Sequence, residues 1–346
     1  MADITIKDIA KKAGVAKSTV SRVINNSGYV KEDTRQRIAE VMREYNYIPS
    51  ATAQSLSRRE SNAIALIIPE ADNPFFSEIL RGIGSVINEQ GLTLILCHTE
   101  NSAKNDLWTL QNIRQQRVRG IIYTPAVHCT DDKNGQAVLE ILSDIGTPVV
   151  LLDRPLELKG IEFDGVFSNN FEGAYSATKA LINAGHKQIG IVAGDLELFI
   201  GRERMAGYRQ AMEEAGLRVL ERNIIHGEFN TEITYQQTKK KLASGTYPTA
   251  YFVCNNLSSK GFLRAVFERG MKIPDDIAYV GFDPVDGLDI FGLEYSCLDR
   301  DVHSMGAEAA RLLLKRINMP DRTAKVEKII LPPVLRLRGS ERKAKE

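Results

Sequence analysis

The sequence predicts a small all-helical head followed by a larger α/β body, and three observations predict it. Apolar residues recur at helical spacing through the first 45 residues. From Ala63 onward, short β-branched runs alternate with amphipathic stretches, the pattern of parallel sheets covered by helices on both faces. Charge is also divided between the two parts. Residues 1–59 hold eleven Lys and Arg against six Asp and Glu, a net +5, and the remainder carries −4. At 346 residues the chain is too long for one core and suits two or three domains.

The head reads as two short helices and a turn, closed by a third helix. Thr5 is a good N-cap, and Asp8 three residues on can return its carboxylate to the first turn. Ile6, Ile9, Ala10 and Ala13 give the first helix one apolar face. Gly14 supplies the turn, because it adopts positive φ without steric cost. In the second helix Thr19, Val20 and Val23 lie on one side, and Lys17, Ser18, Ser21 and Arg22 on the other. That is the pattern of a helix-turn-helix, whose second helix can bring short polar and basic side chains into a major groove. A third helix from about Glu32 to Tyr45 sets Ile38, Val41, Met42 and Tyr45 at i, i+3, i+4 and i+7. A basic head on a mildly acidic body is the charge asymmetry of a nucleic-acid reader.

Between Asn46 and Ser61 the texture changes. Pro49 pushes Ile48 toward extended geometry and ends the head. Ser50 to Leu56 then reads as a short helix of small residues with Leu56 its only large apolar side chain. Alone it is too short to be stable in water, so a plain linker is the competing reading.

In the body, strands are expected at Ala63–Ile68, Thr93–Cys97, Gly120–Thr124, Val149–Leu152, Gly165–Phe167, Ile189–Ala193, Ala250–Cys254 and Ile277–Gly281. Helices are expected at Pro74–Gln90, Ala103–Arg117, Gly173–Ala184, Arg204–Ala215 and Ser258–Arg269. Parallel sheets bind ligands outside the carboxyl ends of their strands. Those ends carry Asn73, Phe75 and Phe76, Asp153-Arg154, Asn169-Asn170, Arg204, Asn255-Asn256 and Asp283. Carboxylates and amides take paired hydroxyls, and an aromatic ring covers the apolar face of a pyranose. Singly, Asn73 and Asn170 suit helix caps, and Phe75 and Phe76 suit a core. Their convergence at strand ends is what points to a sugar. Pro284 is expected to hold Asp283 out of helical geometry with its carboxylate free to enter the cleft.

Other classes are argued against. There is no run of eighteen apolar residues and no signal-peptide stretch, so a cytoplasmic protein without a membrane segment is expected. Cys97, Cys129, Cys254 and Cys297 are scattered, without a C-x-x-C or a Cys/His cluster, which fits reduced thiols and no metal. No G-x-S-x-G, G-x-x-x-x-G-K-[ST] or H-E-x-x-H occurs, and the five histidines have no partner at a telling spacing. Neither an enzyme nor a cofactor is expected.

The runs Thr5-Ile6-Lys7-Asp8-Ile9-Ala10, Ala13-Gly14-Val15, Ser18 to Asn25 and Tyr47-Ile48-Pro49 resemble the N-terminal signature of the lac-repressor (LacI/GalR) family of bacterial transcription regulators. The resemblance extends over essentially the whole chain. It implies a helix-turn-helix head in 1–47, a hinge helix and linker in 48–61, and a core in 62–340 similar to periplasmic sugar-binding proteins. The first lobe would be 62–162 and 293–323, the second 163–292 and 324–340, with a charged tail at 341–346. The family's mode of action implies a homodimer on pseudopalindromic double-stranded operator DNA, gated by a small effector between the lobes. Lys17, Ser18 and Arg22 would meet base edges, and Thr5, Ser21, Asn25 and Thr34 phosphates. Ala53 and Leu56 would wedge the minor groove at the operator centre. Asn73, Phe75, Asp153, Arg204, Phe229, Asn255 and Asp283 would hold the effector. There are departures from the family's pattern. Ala16 and Lys31 stand where serines commonly cap the second and third helices, and each missing cap costs about 0.5–2 kcal/mol. Leu198 and Ile200 replace the polar contacts of purine-binding members, which argues against a purine corepressor. Arg300 replaces a common glutamine near a crossing strand, putting lobe coupling there in question. The short charged tail argues for a dimer rather than a tetramer. Two alternatives remain: a regulator answering to a protein corepressor, and a solute-binding protein, which the head speaks against.

Overall fold

The computed structural model describes residues 4–25, 27–47, 61–126, 133–156, 160–319 and 325–343. The expected hinge helix, with Ala53 and Leu56, lies outside the described residues.

The head is three helices: α1 (Ile6–Lys12), α2 (Lys17–Ile24) and α3 (Glu32–Glu44). Its core is small, with Ile9, Ala10, Ala13, Val20 and Ile38 buried. At the start of α1, the Asp8 carboxylate accepts from the Thr5 N–H at 2.9 Å and the Thr5 hydroxyl at 2.6 Å. Gly14 takes φ +64° in the turn. Ala16, in extended geometry, and Lys31 (φ −55°, ψ 141°) precede α2 and α3 with no side-chain cap, as their chemistry requires.

The body contains two six-stranded sheets. The first runs β11-β5-β4-β3-β1-β2, from β1 (Ala63–Ile68), β2 (Thr93–His98), β3 (Gly120–Tyr123), β4 (Val149–Leu152), β5 (Asp164–Ser168) and β11 (Lys328–Leu331). All its pairings are parallel. The second runs β12-β10-β9-β8-β6-β7, from β6 (Ile189–Ala193), β7 (Ile224–His226), β8 (Ala250–Val253), β9 (Ala278–Phe282), β10 (Cys297–Asp299) and β12 (Val334–Arg336). Only β10 and β12 pair antiparallel there. β1 is buried along its whole length, as a central parallel strand must be when both faces are covered.

Helices α4 (Pro74–Glu89) and α11 (Val302–Ile317) pack together on one face of the first sheet, and α5 (Ala103–Gln116) with α6 (Lys133–Ile145) on the other. The α4–α11 approach depends on glycine. A Cβ on Gly82 would lie 2.1 Å from the His303 carbonyl oxygen, and one on Gly306 2.3 Å from that of Ile79. The second sheet is covered by α7 (Asn170–Asn183) with α8 (Phe199–Glu214), and by α9 (Thr231–Ala243) with α10 (Asn256–Glu268).

The chain passes between lobes three times: between β5 and α7, between β10 and α11, and between β11 and β12. The strands put these crossings at about 168–170, 299–302 and 331–334, later than the expected 162/163, 292/293 and 323/324. The reason is that β5 and β11 belong to the first sheet and β10 to the second, and the three strands flanking the two later crossings, β10, β11 and β12, are too short to be read from pattern. The expected tail also begins too early. Glu341 is buried and accepts hydrogen bonds from the Ser296 hydroxyl and the Gly339 N–H, while Ser340 bridges Tyr279 and Ser296. The second lobe therefore extends past 340.

Candidate functional site

On the head, α2 presents one polar face. Lys17, Ser18 and Arg22 are exposed along it. Ser21 and Asn25 are half-buried, and the Asn25 amide donates to the Ser21 hydroxyl at 3.2 Å. Thr5 is exposed at the start of α1, with its hydroxyl engaged by Asp8. Thr34 is half-buried in the first turn of α3. Val20 is fully buried on the opposite side of α2, so the core fixes which residues of this helix face outward.

Between the lobes lies a second candidate site. All seven expected effector residues, Asn73, Phe75, Asp153, Arg204, Phe229, Asn255 and Asp283, line one cavity of about 40 Å³. Backbone geometry explains the aim of three of them. Asp153 (φ +63°), Phe229 (φ +54°) and Asp283 (φ +73°) take left-handed conformations just past strands, a strained geometry that concentrates at functional sites. The asparagines serve the helices as well. Asn73 caps α4 through the Phe75 N–H at 3.1 Å, and Asn255 caps α10 through the Ser258 N–H at 2.8 Å. Asn73 also accepts from the Asn256 amide of the other lobe at 2.9 Å and donates to Glu70 at 3.0 Å.

Arg204 is buried and bonds to the Asn170 side chain at 2.9 Å and to the Cys254 carbonyl. Its guanidinium lies 3.6 Å from the Phe282 ring centroid and 5.6 Å from that of Phe229. Burial, followed by the nearby Arg300 charge, lowers its pKa to about 10, so it remains a cation at neutral pH.

The Asp283 carboxylate is not free, contrary to expectation. Both its oxygens accept from Arg300, at 2.6 Å from Nε and 2.7 Å from Nη2. A buried carboxylate needs such a partner, because desolvation without one is costly. Arg300 also donates to Asp153 of the first lobe at 3.1 Å and lies 4.1 Å from the Phe75 ring centroid. Burial pulls its pKa down, and the two carboxylates more than reverse that. The residue whose identity put lobe coupling in question thus joins the lobes, alongside the Asn73–Asn256 contact. Glu70, Phe76, Asn101, Arg154, Ile200 and Asn256 complete the lining and are not among the expected effector contacts. Phe76, Arg154 and Asn256 carry a sequence signal as strand-end residues and Ile200 as a family contact position, whereas Glu70 and Asn101 carry none.

Among the described residues no group of His, Cys, Asp and Glu is arranged to hold a metal, and no helix is long and apolar enough to cross a membrane.

Comparison with known proteins agrees with this geometry. Residues 5–50 match the family described as bacterial regulatory proteins, lacI family, and residues 178–340 match the periplasmic binding protein-like domain. The chain is 35% identical over 315 residues to the HTH-type transcriptional repressor PurR of Pasteurella multocida (strain Pm70), covering 91% of this chain and 92% of that one. It is 34% identical to the HTH-type transcriptional regulator DegA of Bacillus subtilis (strain 168), covering 97% of each. Among solved structures, the lac repressor dimer bound to operator and the anti-inducer ONPF superposes with a TM-score of 0.82 at 25% identity, covering 98% of this chain and 99% of that one. A complex of the transcriptional regulator CelR with cellobiose superposes at 0.71 with 27% identity, covering 97% and 99%. The chain belongs to the lacI family of bacterial regulatory proteins, as a DNA-binding transcriptional repressor.

Proposed function

We propose that this repressor is a homodimer whose grip on a pseudopalindromic operator is controlled by a sugar or sugar derivative bound between its lobes. Lys17, Ser18 and Arg22 read base edges in the major groove, with Arg22 making a bidentate contact to guanine. Thr5, Ser21, Asn25 and Thr34 hold phosphates and set the register. Ala53 and Leu56 of the hinge enter the minor groove between the two half-sites. Asn73, Phe75, Asp153, Arg204, Phe229, Asn255 and Asp283 form the effector site.

The observation that carries the effector reading is the meeting of seven polar and aromatic side chains from both lobes at one cavity. A ligand held by both lobes changes the angle between them, and that angle sets the spacing of the two hinge segments. Sugar chemistry is favoured by the Asp153 carboxylate and the cleft asparagines beside the Phe75 face. Ile200 lines the cavity and Leu198 is buried in the core of the second lobe, so neither offers a ring nitrogen a partner. The test is thermal unfolding against a panel of mono- and disaccharides. A ligand at a hundred times its Kd adds about 2.7 kcal/mol of stability. A panel without any stabilising member, against a set of nucleobases with one, would move the reading from sugars to purines.

A further inference from the structure

The cleft is closed by a side chain of its own. Arg300 stands on the second crossing, 8% exposed, and its guanidinium is laid over the Phe75 ring with carboxylates at its edge. Asp283 takes the fork from the second lobe, and Asp153 takes Nη1 from the first. The inner cavity is about 40 Å³, far below the roughly 300–1,000 Å³ of ordinary ligand sites. Beside it opens a hollow of about 700 Å³ that also reaches Phe75, Asn256, Asp283 and Arg300. These four side chains are therefore the wall between a filled inner chamber and an open outer one.

We propose that Arg300 is the specificity-determining gate of this site: its guanidinium occupies the place of the effector ring, and an effector enters by displacing it from Phe75 and Asp153. The proposal rests on reading the interlobe cleft as the effector site. A flat guanidinium with donors around its edge presents what a polyhydroxylated ring presents, an apolar-compatible face toward Phe75 and edge donors toward carboxylates. An effector that replaces it must supply donors to Asp153 and a face to Phe75. A ligand whose edge carries only acceptors would leave both unsatisfied and be rejected.

The test needs no effector. In full-length Arg300→Ala, backbone amides of segments 70–76 and 153–156 should exchange at least about tenfold faster than in wild type, the loss of one charge-assisted bond, while strand amides of both sheets keep their rates. Methylguanidinium should then bind the variant saturably and restore slow exchange in those segments. N-methylurea, neutral and of the same shape, and methylammonium, charged but not planar, should not. Wild-type exchange in those segments, or no preference for methylguanidinium over N-methylurea, would overturn the proposal. If Arg300→Ala does not fold, Asp153→Asn decides. It suits the left-handed backbone and leaves the Asp283 fork intact. It should open the same segments, and wild-type rates there would sink the idea. Failure of this experiment leaves the sugar reading standing, and failure of the sugar panel leaves this one standing.

Discussion

The second helix of the head begins without a cap, and replacing Ala16 by serine should stabilise it. Ala16 has φ −71° and ψ 149°, the extended geometry of an N-cap, so serine needs no backbone change to accept from the N–H groups of Ser18 or Thr19. A cap contributes about 0.5–2 kcal/mol and typically about 1. On a helix of eight residues over a core of five buried side chains, that is a large share of the local stability. One kcal/mol is about a fivefold change in an equilibrium constant, so α2 amides should exchange about fivefold more slowly in Ala16→Ser than in wild type. Lys31→Ser offers the same gain at α3, and because the caps touch different helices the two should add. Operator affinity can rise by no more than the same factor, and only to the extent that the free head is unfolded. Hydrogen exchange by mass spectrometry reads the first effect and an operator titration the second. Unchanged or faster exchange in α2 would refute the reasoning about the missing cap.

Three further outcomes are expected. Arg22→Ala should weaken operator binding by roughly 1–3 kcal/mol and relax preference at one base pair per half-site, whereas equal losses on operator and random DNA would make Arg22 a phosphate contact. Leu56→Ala should leave dimerisation and effector binding intact but lower operator affinity and straighten the bound duplex, and an unchanged bend at full affinity would reduce the hinge to a tether. Asp283→Asn removes one partner of a buried ion pair whose side chains are 5% and 7% exposed. Such losses cost about 3–5 kcal/mol, and because Asp153 still neutralises Arg300 the lower end applies, or a fall in Tm of about 6–12 °C by calorimetry.

Much of the fold is legible because patterning and burial agree. The eight expected strands all form; most are apolar runs largely buried between helices, while β2 forms as a half-exposed edge strand. β7, β10, β11 and β12 are only three or four residues each, and β11 and β12 alternate in exposure as edge strands do, so pattern alone gives them little weight. The seven cleft residues are legible through the rule that ligands sit at strand ends and through family resemblance, but their mutual bonding is not. Arg300 follows a three-residue strand, and its partners lie 17 and 147 positions away, a pairing that only the closed fold brings about. Glu341 was misjudged for a similar reason: its charge suggests solvent, while Ser296 and the Gly339 N–H satisfy it inside the second lobe.

The central claim is that the cleft and the head are coupled, and one titration tests it most directly. Operator occupancy is measured against the concentration of whichever sugar stabilises the wild-type protein, for wild type and for Arg204→Lys. The substitution keeps the cation but removes the fork that spans Asn170 and the Cys254 carbonyl. The account predicts a sugar-dependent change in occupancy for wild type. It predicts a midpoint displaced at least about tenfold for the variant, with sugar-free operator affinity unchanged. Superimposable curves, or a sugar that stabilises the protein without moving operator occupancy, would contradict it.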